Sequence, residues 1–200
     1  MLERMREYFD SQAKLREQAL DSSRATIRAS ARAISAIHRG DNKEAEDFLA
    51  EARAGLNTLA SLTTSGPEMA DSGTVISAQQ EYGEAELVKA AIMEGKLLEV
   101  QDIGITYKAY LGALADASGE LRRHILDMIR ANEIGRAESS LKLMERIFEI
   151  LMEFDYADAV LPGMRRRQDV VRQILERTRG DLTIALRQQR LEQALEKRGG

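Results

Sequence analysis

From Met1 to Arg39 the chain contains neither a glycine nor a proline, and the run ends abruptly in His-Arg-Gly-Asp. An uninterrupted stretch of that length, rich in Ala, Arg, Glu and Gln, has one low-energy outcome, a long α-helix. Gly40 is free to take the left-handed conformation that closes a helix, and Asp41 can cap the next one, so the spacing predicts two long antiparallel helices. The second runs from about Asn42 to Leu62, where Ala45, Phe48, Leu49, Ala52, Leu56 and Leu59 recur at three and four residues. The only prolines are Pro67 and Pro162. The first lies in a long loop, Thr63 to Gly73, and the second, with Gly163, breaks the chain before a last helix of some thirty residues. Between them a third helix spans about Thr74 to Glu94, a linker with Gly95 and Gly104 follows, and a fourth spans about Thr106 to Ala131. A fifth carries the stripe Leu141, Met144, Ile147, Phe148 and Leu151. In the last helix Val170, Val171, Ile174, Leu175, Leu182, Leu186 and Leu195 mark the face expected to be buried. The fold class is therefore all-α, a long-helix bundle in one domain, residues 1–200, and 44% apolar residues are enough to fill its core. Long helices and few aromatics, 9 of 200 residues, suit an oligomer.

Several function classes fall away on composition. The best apolar run, Leu87 to Met93, is short and broken by Lys89, so no membrane helix is expected, and MLERMREYFD has no apolar secretory core. A cytoplasmic protein with no membrane partner is the expectation. Without cysteine there is no disulfide, thiolate zinc site or cysteine nucleophile, and two histidines are too few for an all-nitrogen metal centre. Any metal must be held by oxygen. The net charge of −4 conceals a division: residues 1–40 carry +3, residues 161–200 carry +5 and residues 41–160 carry −12. Basic ends around an acidic middle suit a chain that holds a polyanion on one surface and a divalent cation on another, although alternating solvated charges on exposed helices give the same tally.

Two acidic pairs lie on faces that should otherwise be buried. Glu81 and Glu84 are three apart, with Val88, Ala91 and Ile92 continuing nearly the same stripe; Asp116 and Glu120 are four apart among Ala113, Ala117 and Leu121. If the two helices face each other, four carboxylates converge and repel unless a cation sits among them, and Mg2+, or alternatively Mn2+, fits an all-oxygen shell. Plain salt bridges to Lys89, Arg122 or Arg123 would satisfy the same acids. A di-iron carboxylate bundle needs Glu-x-x-His pairs, which are lacking; His124 follows Glu120 by four and reads as a hydrogen-bonding surface residue, and His38 as a structural residue at a helix C-terminus. The basic candidates for phosphate are Arg24, Arg28 and Arg32 at i, i+4, i+8, Arg123, and Arg165, Arg166 and Arg167 with Arg172 at the start of the last helix. No glycine-rich phosphate loop, helix-turn-helix or aromatic stacking platform accompanies them.

Four segments carry a family resemblance: SRATIRASARAISAIHRGD (Ser23 to Asp41), QEYGEAELV (Gln80 to Val88), YLGALADASGELRR (Tyr110 to Arg123) and FDYADAVLPGMRRRQDVVRQILERTRGDL (Phe154 to Leu182). They resemble the translin family, most of all the branch of translin-associated factor X and its archaeal relatives. The resemblance implies a seven-helix protomer, with the additional short helix in Gly95 to Ile105 or Arg130 to Glu138, assembled into a hollow octameric shell around RNA, either as a homo-oligomer or with a translin-like paralogue. It implies that Glu81, Glu84 and Asp116 are the catalytic carboxylates of a Mg2+-dependent endoribonuclease, with Glu120 as a fourth ligand or close neighbour. Gly83 departs from the animal branch, which has a larger apolar residue there. Translin itself lacks those acids and serves as a scaffold, so the alternative expectation is a non-catalytic protein that binds RNA or single-stranded DNA. A helical adaptor without nucleic acid is the third.

Overall fold

The structure, a computed structural model, describes residues 1–66 and 69–199. Among these residues the chain forms seven α-helices and no strand. They are α1 (Leu2–Arg39), α2 (Asn42–Ser65), α3 (Gly73–Lys89), α4 (Val100–Ile103), α5 (Tyr107–Arg130), α6 (Ile134–Met152) and α7 (Met164–Gly199). A π-helical turn, Ala90–Glu94, directly follows α3. The expected loop from Thr63 to Gly73 is shorter at its start, because α2 continues to Ser65; Pro67 and Glu68 lie outside the described residues. The short helix implied between Gly95 and Ile105 is α4, closed by Gly104 at φ 77° and opened by the Glu99 N–H donating to Asp102 Oδ2 at 3.1 Å. None of the described helices is long and apolar enough to cross a membrane.

Two compact units divide the chain. The first consists of Met1–Lys89 with Leu98–Ala113, the second of Ala90–Leu97 with the chain from Leu114 onward. In the first unit the hairpin closes as the breakers dictate: Gly40 sits at φ 75°, and Asp41 accepts a hydrogen bond from the Glu44 N–H at 3.0 Å. Pairings of Ser22 with Gly55, Arg32 with Phe48 and Arg39 with Glu44 advance along α1 as they go back along α2, which establishes the antiparallel arrangement. Most of the buried residues of α1 are small, Ser23, Thr26, Ala29, Ser30, Ala33 and Ala36 among them, with Ile34 and Ile37 toward its end. At the crossing with α2, Gly55 is needed, since a Cβ there would collide with Thr26. The third helix completes this unit, with Ala19, Leu59, Val75 and Ala78 in one apolar cluster and Ser23 Oγ donating to the Thr74 carbonyl at 3.0 Å.

The second unit packs the later turns of α5 with α6 and α7 through Leu114, Leu121, Ile125, Met144, Ile147, Leu151, Met164, Val171, Leu175 and Leu182. Gln168 fixes the start of α7: its side-chain amide donates to the carbonyls of Leu151 (2.8 Å) and Phe154 (3.2 Å) at the end of α6. Further along, Arg122 pairs with Asp181 at 2.9 Å and donates to Thr178 Oγ1 at 3.0 Å. The expected apolar face of α7 is only partly buried. Val170 and Leu195 are exposed, together with Ile184 and Leu191, as are Met1, Leu2, Met5, Tyr8 and Phe9 at the start of α1. Helix lengths explain the latter: α1 has 38 residues and its hairpin partner α2 has 24, so the first turns of α1 extend past it.

Candidate functional site

Helix α3 supplies the first acidic pair. Glu81 and Glu84 are half-buried and flank Gly83, which is buried. The glycine sits in a tight spot: a Cβ at Gly83 would stand 2.5 Å from Ile105 Cδ1 and 3.1 Å from Ala113 Cβ, and one at Gly112 would meet the Gln80 side chain, so those side chains would have to move. Small residues on both helices therefore let α3 and the first turns of α5 approach closely. A larger residue at position 83 would have to displace Ile105.

The other polar groups of α3 are committed elsewhere. Tyr82, 1% exposed, donates its hydroxyl to Glu86 Oε1, Arg53 pairs with Glu86 at 3.2 Å, and the same guanidinium lies 5.2 Å from the Tyr82 ring centroid. Burial and the bond to Glu86 push the Tyr82 hydroxyl well above its ordinary pKa. Lys89, which could have neutralised the acidic pair, instead pairs with Glu46 of α2.

In the second unit Asp116 and Glu120 lie one turn apart on α5, both half-buried. Glu120 has Arg123 at 3.8 Å, the salt bridge that a surface reading foresees. Asp116 has Arg167 of α7 at 3.5 Å, a partner 51 positions away. The carboxylate opens onto a groove of about 330 Å3 lined by Ala115, Asp116, Pro162, Gly163, Arg166, Arg167, Val170 and Val171. An acid, two arginines and an apolar wall thus meet at the N-terminus of a 36-residue helix, where the backbone dipole also favours an anion. Val170, expected in the core, serves as that wall.

The remaining arginines are dispersed over the surface. Arg24, Arg28 and Arg32 are all exposed along α1, Arg24 with Asp21 at 3.9 Å and Arg32 over the Phe48 ring at 5.6 Å. Arg165 pairs with Asp155 and Arg172 with Asp169, each at 3.2 Å, and Arg172 also lies 5.8 Å from the Phe148 ring centroid. Arg123 is exposed beside Arg122 and Arg130 in a shallow basic recess. His124 is not the surface residue expected: it is 8% exposed, because α5 is enclosed on that side, with Leu121 and Ile125 fully buried beside it.

Glu81 and Glu84 on α3, and Asp116 and Glu120 on α5, are two pairs of hard oxygen donors, the kind of ligand that Mg2+ or Mn2+ accepts. Among the described residues no group of three or more acidic or histidine side chains stands ready to hold a metal ion. A cation nevertheless already stands at Asp116, in the form of the Arg167 guanidinium.

No protein-family model matches the chain. It is 34% identical over 192 residues to an uncharacterized protein of Methanocaldococcus jannaschii, covering 95% of this chain and 85% of that one. Among solved structures it superposes on AfC3PO with a TM-score of 0.85 at 34% identity, covering 92% of this chain and 96% of the other. The complex of AfC3PO with duplex RNA matches with a TM-score of 0.82 at 33% identity, covering 92% and 95%. Apo-NeC3PO shares the fold, with a TM-score of 0.83 at 20% identity over 92% and 96%.

Proposed function

The chain belongs to the translin family, and from that premise we propose that it is an RNA-binding, divalent-metal-dependent endoribonuclease that works as an oligomer. The observation that carries the reading is the groove at Asp116, where a carboxylate, Arg166 and Arg167 share one opening. A phosphodiester is an anion that positive donors hold, and metal-assisted hydrolysis uses a carboxylate to bind the cation; this groove offers arginines for the first role and a carboxylate for the second. The complex of AfC3PO with duplex RNA supports RNA as the partner.

Glu81, Glu84 and Asp116 are the proposed metal-binding and catalytic carboxylates, with Glu120 as fourth, assigned through the family resemblance of QEYGEAELV and YLGALADASGELRR. When bound, Mg2+ or Mn2+ activates water and offsets charge gathering on the phosphate. The protein's own part is to hold these acids on helices rather than loops and to place the strand. Arg166 and Arg167 grip phosphate within the groove, while Arg24, Arg28, Arg32, Arg123, Arg165 and Arg172 position flanking nucleotides electrostatically. The exposed Met5, Tyr8 and Phe9 of α1 and Ile184, Leu191 and Leu195 of α7 support assembly into the octameric shell of the family.

Incubating purified protein with labelled single-stranded and duplex RNA, in Mg2+ and in EDTA, tests this. Cleavage in Mg2+ that stops in EDTA is expected. Salt-dependent binding without cleavage would move the chain to the scaffold reading, on RNA or single-stranded DNA, and the absence of both would leave a helical adaptor.

A further inference from the structure

We propose that the groove at the start of α7 is a nucleotide subsite that holds one unit of an RNA strand without a metal ion: Arg166, beside Arg167, takes the phosphate, and Pro162 and Val170 form an apolar wall for the sugar and base of that same nucleotide. The inference rests on the RNA-binding part of the reading above and is independent of its metal-dependent part.

The charge of the groove points to an anion. Its walls carry one carboxylate and two guanidiniums, with no second acid to complete a shell for a divalent cation. Arg167 stands 3.5 Å from Asp116, so the two charges offset each other and Arg166 is left in excess. Among the described residues Arg166 has no acidic partner, whereas Arg165 pairs with Asp155 and Arg172 with Asp169. It is the third residue of α7, in the turn whose unpaired N–H groups make the helix end positive, so its charge adds to that of the backbone.

An anion alone does not account for the rest of the groove. Val170 is 46% exposed although its neighbour Val171 is fully buried, and it lies four residues after Arg166, on the same face and about 6 Å further along the helix. Pro162, also exposed, lines the same groove. Gly163, at φ 73°, makes the left-handed bend that joins Pro162 to α7, and its N–H donates to Asp158 at 2.8 Å, which fixes the loop. A positive group and an apolar surface one helical turn apart match a nucleotide, whose phosphate is charged and whose base presents a flat apolar face. Inorganic phosphate would leave the Val170 wall unused. A volume of about 330 Å3 suits one such unit, and the open side of the groove lets the strand continue.

The test measures binding of fluorescent single-stranded RNA by anisotropy in EDTA, over a salt series, for the wild type, Arg166→Gln, Val170→Ala, the double variant and Val160→Ala, which alters an exposed valine outside the groove. Thermal unfolding run alongside checks that each variant is folded. Val170→Ala is expected to weaken binding about three- to tenfold through the apolar surface lost. Its slope of log affinity against log salt should equal that of the wild type, because no charge is removed. Arg166→Gln should flatten the slope, and the double variant should lose less than the product of the two single factors, because both side chains hold the same nucleotide. Val160→Ala should match the wild type. Wild-type affinity in Val170→Ala overturns the subsite, whatever Arg166→Gln does. Calorimetry with uridine monophosphate and with inorganic phosphate separates a strand from a free ligand: tight binding of either, with RNA affinity unchanged in Val170→Ala, assigns the groove to that ligand and overturns the proposal. If the wild type binds RNA in Ca2+ but not in EDTA, the metal-free subsite fails and the metal-dependent reading stands. If it binds RNA in neither, the RNA reading fails and the subsite with it.

Discussion

Two acid–arginine pairs, one in each unit, use the same chemistry to opposite ends. Glu86 and Arg53 meet at 3.2 Å, and the Glu86 side chain is only 14% exposed, with a buried tyrosine hydroxyl on the same oxygen and the guanidinium laid over that tyrosine's ring. Asp116 and Arg167 meet at 3.5 Å with more than a third of each side chain exposed, and they open onto a groove. In the first pair the acid is enclosed and shares its oxygen with a buried hydroxyl, while Arg53 itself is 52% exposed. In the second pair both side chains are half-exposed and line the groove. Enclosure of the acid, rather than charge or distance, is what distinguishes the two pairs.

Breaking the enclosed pair should cost stability first. Tyr82→Ala removes a fully buried aromatic ring together with a hydroxyl donor, and a loss of about 3–5 kcal/mol in unfolding free energy is expected from denaturant titration. Asp116→Asn should have the inverse profile: RNA cleavage falls by at least about a hundredfold, while stability shifts by less than about 1 kcal/mol because the lost ion pair is well hydrated.

A gentler probe of the enclosed pair uses pH. The Tyr82 hydroxyl is pushed above its ordinary value of about 10 by burial and by Glu86, so the folded protein keeps a proton that the unfolded chain releases. Its contribution is fully present below pH about 10 and is lost as pH rises through the interval toward the folded value. Thermal unfolding between pH 9 and 11.5 should therefore decline more steeply for the wild type than for Tyr82→Phe, which starts about 1–3 kcal/mol less stable. Parallel slopes would contradict that assignment. At the open pair the smallest effect is expected from Arg166→Gln. Single-stranded RNA binding should weaken a few-fold regardless of sequence, and the slope of log affinity against log salt should flatten by about 0.7, one phosphate contact's worth.

Most of the helical framework was legible because the signals are local. The break at Arg39, Gly40 and Asp41 is visible in the chain itself, and α5 begins and ends within a residue of the span expected from its pattern. The π turn at Ala90–Glu94 was not legible, since Ala-Ala-Ile-Met-Glu reads as ordinary helix. Burial was harder. His124 and Val170 were misplaced because whether a residue faces core or groove depends on how neighbouring helices pack, and Leu195 because α7 extends past its neighbours.

The acidic pairs stood out by spacing, but their partners did not. Lys89 reaches across to Glu46 and Arg122 to Asp181, so two of the three cations that could have explained the acids away are used elsewhere. The Arg167 partner of Asp116 is separated by a whole helix and two loops; its one trace in the sequence is a run of arginines at a helix N-terminus, where they are poorly placed without an anion.

The central claim is that the open carboxylate serves metal-dependent RNA cleavage, and the most direct measurement compares wild type and Asp116→Asn on one labelled single-stranded RNA in Mg2+, with binding followed in the same samples. The account predicts cleavage by the wild type and none above background by the variant, while both remain folded and bind the RNA. Equal cleavage by the two proteins would contradict it.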